Sequence, residues 1–239
     1  MTGGAKWTRL AAGVHVGELE RATLLAVVGT EGVLVHGPAE PGDLVGLVDE
    51  GGVPVGVDRV TWATRPGLGA PLLVQEDDPV AGEAARVVAS VFAVDLGGVY
   101  VEAVHPGRGA TGADLVVSVP LADVVATGDL VRNPGPPGYG ADCWPLEYPA
   151  TLDMVLGAMT ARTVVVPGRG PVVDREFVED QRQEALAVAE QVDVLASRRV
   201  DPADAYAQGT WPYAEAELEQ ALPRALAQWV PRPPATHSH

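Results

Sequence analysis

The chain opens with short runs of β-branched and aliphatic residues that are separated by glycine-rich turns. Apolar runs of about four to eight residues, bounded by Gly, Pro, Asn or Asp, are typical of strands. The pattern therefore predicts strands over residues 14–16, 23–28, 33–36, 58–64, 72–75, 99–104, 114–119, 124–126 and 163–166. Residues 133–141 (NPGPPGYGA) are too rich in Pro and Gly for regular structure, and we predict a loop there.

Apolar residues recur at helical spacing in other parts of the chain, mainly in its second half. This period predicts helices over residues 81–90, 151–159, 177–196 and 218–229, and a short amphipathic stretch over 43–49 with Asp43 as its N-cap. Strands interleaved with helices indicate an α/β architecture with mixed sheets. The chain shows no internal repeat and no linker, so we predict a single domain over residues 1–230 and a disordered tail over 231–239.

Charge and cysteine usage exclude several classes of partner and site. The net charge of −16 would repel nucleic acid and anionic membranes, so we expect neither as a partner. Cys143 is the only cysteine, which excludes a disulfide framework and a thiolate zinc cluster. The first ten residues hold no apolar run of signal-peptide length, and no run of about 18 apolar residues exists to span a bilayer. We therefore expect a cytoplasmic protein.

Four glycine turns follow β-rich runs directly, and ligand sites collect where loops leave the ends of strands. They are TRPGLGA at 64–70, HPGRGAT at 105–111, TGDL at 127–130 and PGRGP at 167–171. In this order and spacing they resemble the metallo-β-lactamase superfamily, most specifically over residues 106–178. The resemblance implies a four-layer αβ/βα sandwich of two mixed sheets flanked by helices. It also implies a hydrolase in which one or two zinc ions activate water.

Comparison with the superfamily motifs shows that six of its seven metal-binding positions have lost their ligand. The seven positions fall on Arg65, Gly67, Gly69, Ala70, Ala110, Asp129 and Arg169. Asp129 alone can still serve as an ordinary ligand, and zinc needs at least three protein ligands. His105, at the mouth of the second turn, is the best remaining imidazole near the site. We therefore expect no metal, no other cofactor and no zinc-dependent catalytic residue.

Arginines stand at two of the lost positions, and a third arginine lies on the second turn. The candidate ligand-binding residues at the former metal site are Asp129, Arg65, Arg169, Arg108 and His105. One interpretation is that Arg65 or Arg169 pairs with Asp129 and fills the old cavity, since buried charges are paired. The other is that the surplus arginines bind a carboxylate or phosphate ligand.

Three functions fit this sequence. We favour a metal-free pseudo-hydrolase that acts as a binding or scaffold protein for a small anionic ligand or a partner. The alternative is a hydrolase of esters, lactones or thioesters that uses an unusual metal or none, with Cys143 and His105 as the visible nucleophile–base pair. The third is a structural subunit that forms a homo-oligomer or pairs with a paralogue, with residues 211–213 and the final helix as its contact surface.

Overall fold

The N-terminal half of the chain forms a five-stranded sheet in which neighbouring strands follow the order of the sequence. The structure is a computed structural model that describes residues 4–230. The strands are β1 (Lys6–Ala11), β2 (Val14–Glu18), β3 (Thr23–Val28), β4 (Val33–His36) and β5 (Val60–Ala63). The first four pair antiparallel, and β5 pairs parallel with β4. The run TLLAVV of β3 is buried on both faces, which is why it reads as continuously apolar.

A second five-stranded sheet holds the later strands in the order β12-β11-β10-β9-β8. Its strands are β8 (Val91–Asp95), β9 (Tyr100–Val104), β10 (Val116–Val119), β11 (Val124–Arg132) and β12 (Val164–Arg169). All neighbours are antiparallel except β11 and β12. A separate parallel pair consists of β6 (Leu73–Gln75) and β7 (Arg86–Val88).

Within residues 4–230, five helices come after β11, with β12 between the first and the second, and all of them contribute to the core on the outer face of the second sheet. They are α1 (Tyr148–Gly157), α2 (Arg175–Ser197), α3 (Ala205–Gln208), α4 (Glu215–Leu218) and α5 (Ala221–Gln228). The long helix α2 begins after Asp174, whose carboxylate accepts a hydrogen bond from Phe177 N at 2.9 Å and so satisfies one free amide of the first turn.

Alternate residues of the central strands divide between two further cores. Leu25 and Val27 of β3 pack between the two sheets, against residues such as Val117 of β10. Leu24 and Ala26 point to the other face of their sheet, as the period of two in a strand requires. The predicted fold class, two mixed sheets packed together with flanking helices, is confirmed.

The layer outside the N-terminal sheet differs from the predicted helical one. It consists of loops and two short 3-10 turns, Pro41–Leu44 and Val57–Arg59. Asp43 does not cap a helix there. The first turn begins at Pro41 after Glu40, and the Asp43 carboxylate accepts a hydrogen bond from Glu40 N at 2.9 Å. The N-cap prediction is therefore wrong, since Pro41 already supplies the fixed φ that starts a turn.

Two other helix predictions need correction. Residues 81–90 form only the 3-10 turn Ala81–Glu83, and then extend into β7, where two valines pair parallel with β6. The predicted helix over 218–229 is split into α4 and α5. Pro223 lies in the first turn of α5. Proline has no backbone N–H to donate and its ring clashes with the carbonyl four residues earlier, so a helix cannot run unbroken from α4 through this position. Strands β1 and β8 were not predicted, and the tail at 231–239 lies outside the described residues.

Candidate functional site

A cavity of about 410 Å³ lies where the two sheets bring their strand ends together. Its walls include residues 36–38, 64–65, 111, 113–115, 127–129 and 168–169. All four glycine turns singled out in the sequence therefore contribute to one cavity. Gly128 lies at an irregularity in the pairing of β11 with β12 and has φ +53°, a left-handed conformation that glycine adopts readily. This kink turns Asp129 towards the cavity.

Three of the five predicted site residues line the cavity: Arg65, Asp129 and Arg169. Asp129 nevertheless pairs with neither of the two arginines. Its carboxylate receives two contacts from Arg132, Nε to Oδ1 at 3.0 Å and Nη2 to Oδ2 at 2.9 Å. The predicted plug by Arg65 or Arg169 is therefore wrong.

The physical reason is that Asp129 does not lie in a closed pocket. Its side chain is 49% exposed, so no distant cation is needed to compensate a buried charge. Arg132 follows three residues later on the same strand and reaches back to it. Behind the turn, the buried Tyr148 hydroxyl donates a hydrogen bond to the Asp129 carbonyl at 3.0 Å and accepts one from Gly138 N at 2.9 Å. The backbone of Asp129 is therefore fixed from the core side.

Arg65 has a different partner, which the sequence did not indicate. Its Nη1 lies 3.4 Å from Oδ2 of Asp78, whose side chain is only 9% exposed. Arg169 is exposed at the opposite wall. Arg21, which no motif marked, also lines the cavity and is exposed. Within residues 4–230, neither Arg21 nor Arg169 has a carboxylate within 4.0 Å.

The structure does not bring Arg108 or His105 into the cavity lining. The Arg108 guanidinium stacks on the Trp144 ring at 3.8 Å from its centroid and binds the Glu147 carboxylate, with Nε 2.8 Å from Oε2. His105 Nδ1 lies 2.8 Å from the Asp114 carbonyl oxygen. Both predictions of a ligand-binding role are therefore corrected: these side chains hold the second turn in place instead.

His36 is the buried imidazole of the cavity wall. Its Nδ1 lies 2.9 Å from the Thr64 hydroxyl oxygen, whereas its Nε2 is buried and has no hydrogen-bond partner among the described residues. Burial, and then the nearby charge of Arg65, lower the pKa of His36 to about 3, although the Asp129 carboxylate opposes this shift. The ring is therefore neutral at physiological pH.

Asp114 is a second buried polar group of the wall that sequence reasoning missed. Its carboxylate accepts hydrogen bonds from Thr111 N at 2.9 Å and Thr111 Oγ1 at 3.0 Å. Burial raises the pKa of Asp114, and the Thr111 hydrogen bonds only partly offset this. The spacing of Thr111 and Asp114 is that of an ordinary turn, so no motif marked Asp114 as a site residue.

These residues do not fit the zinc site that the resemblance implies. Across residues 4–230, no group of three or more His, Cys, Asp or Glu side chains is arranged to hold a metal ion. Asp129 is engaged by Arg132, and the nearby guanidinium of Arg65 would repel a cation. His36 offers only Nε2, because Nδ1 is bonded to Thr64. Such a donor set falls short of the three ligands that zinc requires.

Cys143 and His105 do not form a nucleophile–base pair. Cys143 is fully buried in the core beneath the helices, and this burial raises the pKa of its thiol to about 11. No hydrogen bond joins the two side chains in the described part of the chain, and His105 is turned to the Asp114 carbonyl. A thiol of such high pKa is almost entirely protonated at neutral pH and is a poor nucleophile.

Of the predicted contact surface at residues 211–213, Tyr213 is buried and Trp211 is half-buried, whereas Pro212 is exposed. Tyr213 belongs to the core beneath the helices, and the Trp211 ring stacks on Tyr206. Helix α5 buries Ala221, Leu222 and Ala225. Exposure of these residues was therefore predicted wrongly, since small terminal helices bury their apolar residues against α2 rather than present them to a partner.

Comparisons with known proteins identify the architecture. No protein-family model matches the chain. Metallo-β-lactamase type 2 of Bacillus cereus is 34% identical over 88 residues, so the match covers 36% of this chain and about a third (34%) of the curated relative.

Solved structures match over most of their length. A metallo-β-lactamase from Pontibacter korlensis matches with a TM-score of 0.61 and 20% identity, covering 75% of this chain and 99% of that chain. FIM-1 from Pseudomonas aeruginosa, in its mono-zinc form, matches with a TM-score of 0.61 and 17% identity, covering 78% and 96%. DIM-1 matches with a TM-score of 0.63 and 14% identity, covering 79% and 99%. At these identities the structures establish the fold alone, and it is the fold that the resemblance implied. Over residues 4–230, no helix is both long enough and apolar enough to cross a membrane.

Proposed function

We propose that this chain, which belongs by fold to the metallo-β-lactamase superfamily, is a metal-free pseudo-hydrolase that binds a small anionic ligand at the former metal site. One observation carries the proposal. Arg21 and Arg169 line the cavity from its exposed side, and neither has an ion-pair partner in residues 4–230. Guanidinium groups present donors that match the oxygens of a carboxylate or phosphate.

The charges around the cavity support an anion. Four arginines and three aspartates line it: Arg21, Arg65, Arg132, Arg169, Asp78, Asp114 and Asp129. Arg65 is neutralised by Asp78, and Arg132 is neutralised by Asp129. The two remaining arginines, Arg21 and Arg169, therefore make the electrostatic potential at the cavity entrance positive. A positive cleft in a protein of net charge −16 concentrates anions at that cleft.

The alternative of a hydrolase has less support. Its visible nucleophile, Cys143, is buried beneath the helices, and its thiol pKa is raised to about 11. Asp129, the one retained ligand position, is engaged by Arg132. An anion-binding role uses Arg21 and Arg169, which have no carboxylate partner within residues 4–230. Hydrolysis would instead rely on Cys143, which is buried, or on Asp129, which is paired with Arg132.

The test is isothermal titration calorimetry with inorganic phosphate. Arg21→Ala and Arg169→Ala should each weaken binding by roughly 10- to 150-fold, because a hydrogen bond to a charged group contributes roughly 1.5–3 kcal/mol. The double variant should abolish binding. Arg162→Ala is the matched control, since Arg162 is exposed and lies outside the cavity lining. Unchanged affinity in the double variant, or the absence of any binding by the wild-type protein, would contradict the proposal.

A further inference from the structure

A buried ring nitrogen of a cavity-lining residue, Nε2 of His36, has no hydrogen-bond partner among the described residues. This nitrogen restricts which ligands would be complementary to the cavity. A Cβ built on Gly128 would lie 3.4 Å from this nitrogen, so the missing side chain of Gly128 leaves space beside it. A buried polar atom without a partner costs free energy unless another molecule satisfies it.

The hydrogen bonds of Thr64 indicate which ring nitrogen carries the proton. The Thr64 hydroxyl oxygen accepts from Gly37 N at 3.3 Å and lies 2.9 Å from His36 Nδ1. A hydroxyl has one proton to donate, and within the described chain Nδ1 is the only acceptor recorded for it. The neutral ring then carries its own proton on Nε2. The unused atom is therefore a donor, and it needs an acceptor.

The inner part of the cavity does not favour a second negative charge. Asp114 and Asp129 both line the cavity, and the positive charges of Arg65 and Arg132 are already matched by carboxylates. Asp114 contributes either no charge or a negative one, according to its protonation. Within residues 4–230, the cavity-lining arginines that have no carboxylate partner, Arg21 and Arg169, are both exposed.

On the basis of the proposed function, we infer that the ligand is a monoanion with a short chain that ends in a neutral acceptor such as a carbonyl oxygen. The anionic group lies between Arg21 and Arg169, and the carbonyl oxygen accepts the hydrogen bond from His36 Nε2. This assigns His36 as a specificity-determining residue of the cavity. It also gives the unpartnered donor of His36 an acceptor without adding a negative charge near the Asp129 carboxylate, which already acts on this ring.

Three small acids that share their first four carbon positions test this inference by calorimetry. 4-Oxopentanoate has the neutral carbonyl, pentanoate lacks the oxygen, and succinate replaces the terminal methyl of 4-oxopentanoate by a second anionic oxygen. We expect 4-oxopentanoate to bind about tenfold more tightly than pentanoate, in keeping with one hydrogen bond to a buried donor. Succinate should bind more weakly than 4-oxopentanoate.

The variant His36→Phe keeps a flat ring and removes the donor, so the ratio of the affinities for 4-oxopentanoate and pentanoate should fall from about ten to about one. His15→Phe is the matched control. His15 is also buried, and its Nδ1 has no hydrogen-bond partner among residues 4–230, but it lies outside the cavity lining. Its replacement should leave the preference intact.

A measurement on the wild-type protein keeps the test independent of how well the variants fold. In ¹⁵N NMR spectra the His36 Nε2 signal should be that of a protonated nitrogen, and it should shift with 4-oxopentanoate but not with pentanoate. Equal affinity for these two acids, or an unprotonated Nε2, would overturn the inference and leave the anion-binding proposal standing. Binding of neither acid nor phosphate would overturn both.

Discussion

The residue that most resembles a surviving metal ligand, Asp129, is now one half of an exposed ion pair. Its contacts with Arg132 are well formed, but both side chains are partly exposed to water, at 49% and 30%. Asp78 makes the more informative contrast, since its side chain is 9% exposed and it accepts hydrogen bonds from both Arg65 and Val80 N. The two carboxylates therefore contribute differently to stability.

We expect Asp129→Ala to lower the free energy of unfolding by no more than about 1 kcal/mol, because exposed ion pairs are screened by water. Asp78→Ala should cost roughly 1–3 kcal/mol, since it leaves a nearly buried turn without its acceptor. Urea unfolding of both variants measures the difference. Equal losses, or a larger loss for Asp129→Ala, would show that the Arg132 pair is more deeply desolvated than its exposure indicates.

His36 should make the stability depend on pH. Its pKa falls from 6.5 to about 3 on folding, so the unfolded chain binds more protons between these values and the native state loses stability as pH falls below 6.5. Wild-type protein should lose roughly 2 kcal/mol between pH 7 and pH 5 from this group alone. His36→Gln should lose correspondingly less over the same range in urea unfolding. Parallel pH profiles would contradict a buried neutral ring.

At the scale of elements, the parallel pair β11 and β12 holds one wall of the site, and its turns tolerate little change. Gly170, directly after β12, has φ +95°, and a Cβ there would collide with the Asn133 carbonyl. Gly140 lies in the neighbouring loop, and a Cβ on it would meet nothing within 4 Å.

We expect Gly170→Ala to destabilise the fold by about 2 kcal/mol or more, from backbone strain and overpacking together. Gly140→Ala is the control in the same thermal and urea unfolding experiments, and it should change stability little because the φ of Gly140 is not positive. A tolerated alanine at Gly170 would mean that the connection after β12 can move away from Asn133.

The sequence predicted the elements that pack in the core better than those at its margins. Strand β3 and helix α2 were recognised because an apolar run and a 3.6-residue period are strong local signals. Strand β8 was missed although its run VFAV is apolar, because so short an apolar run does not distinguish a strand from part of a helix. The residues 86–88 were assigned to a helix because their strand depends on pairing with a distant partner.

In the candidate site, too, features with a local sequence signal were predicted and those that depend on tertiary contacts were not. Gly turns located the cavity correctly, and Asp129, Arg65 and Arg169 do line it. Ion-pair partners could not be derived, because Arg132 and Asp78 carry no motif and act through the local course of the backbone. Residue types identify which atoms can interact, whereas distances between turns decide which of them do.

For the whole molecule, the metal content distinguishes this chain from a zinc hydrolase. Purified, tag-free protein should contain well under one zinc per chain, because the cavity offers too few ligands and carries arginine charge. Arg169→His alone should not restore metal binding, since the first turn would still supply no ligand. Elemental analysis after dialysis against a chelator measures both. Stoichiometric zinc that survives this dialysis would contradict the prediction.

The two sheets are covered unequally: five helices pack on the outer face of one, and loops with short 3-10 turns cover the other. A layer of loops protects fewer backbone hydrogen bonds by packing than a layer of helices does. The amides of the N-terminal layer should therefore exchange with solvent through local openings that cost less free energy than those of β11 and β12. Arg65 and His36 come from the more easily opened side, whereas Asp129 and Arg169 come from the helix-covered side. A ligand that bridges the two walls would therefore slow amide exchange mainly in the N-terminal half, far beyond the residues that it touches.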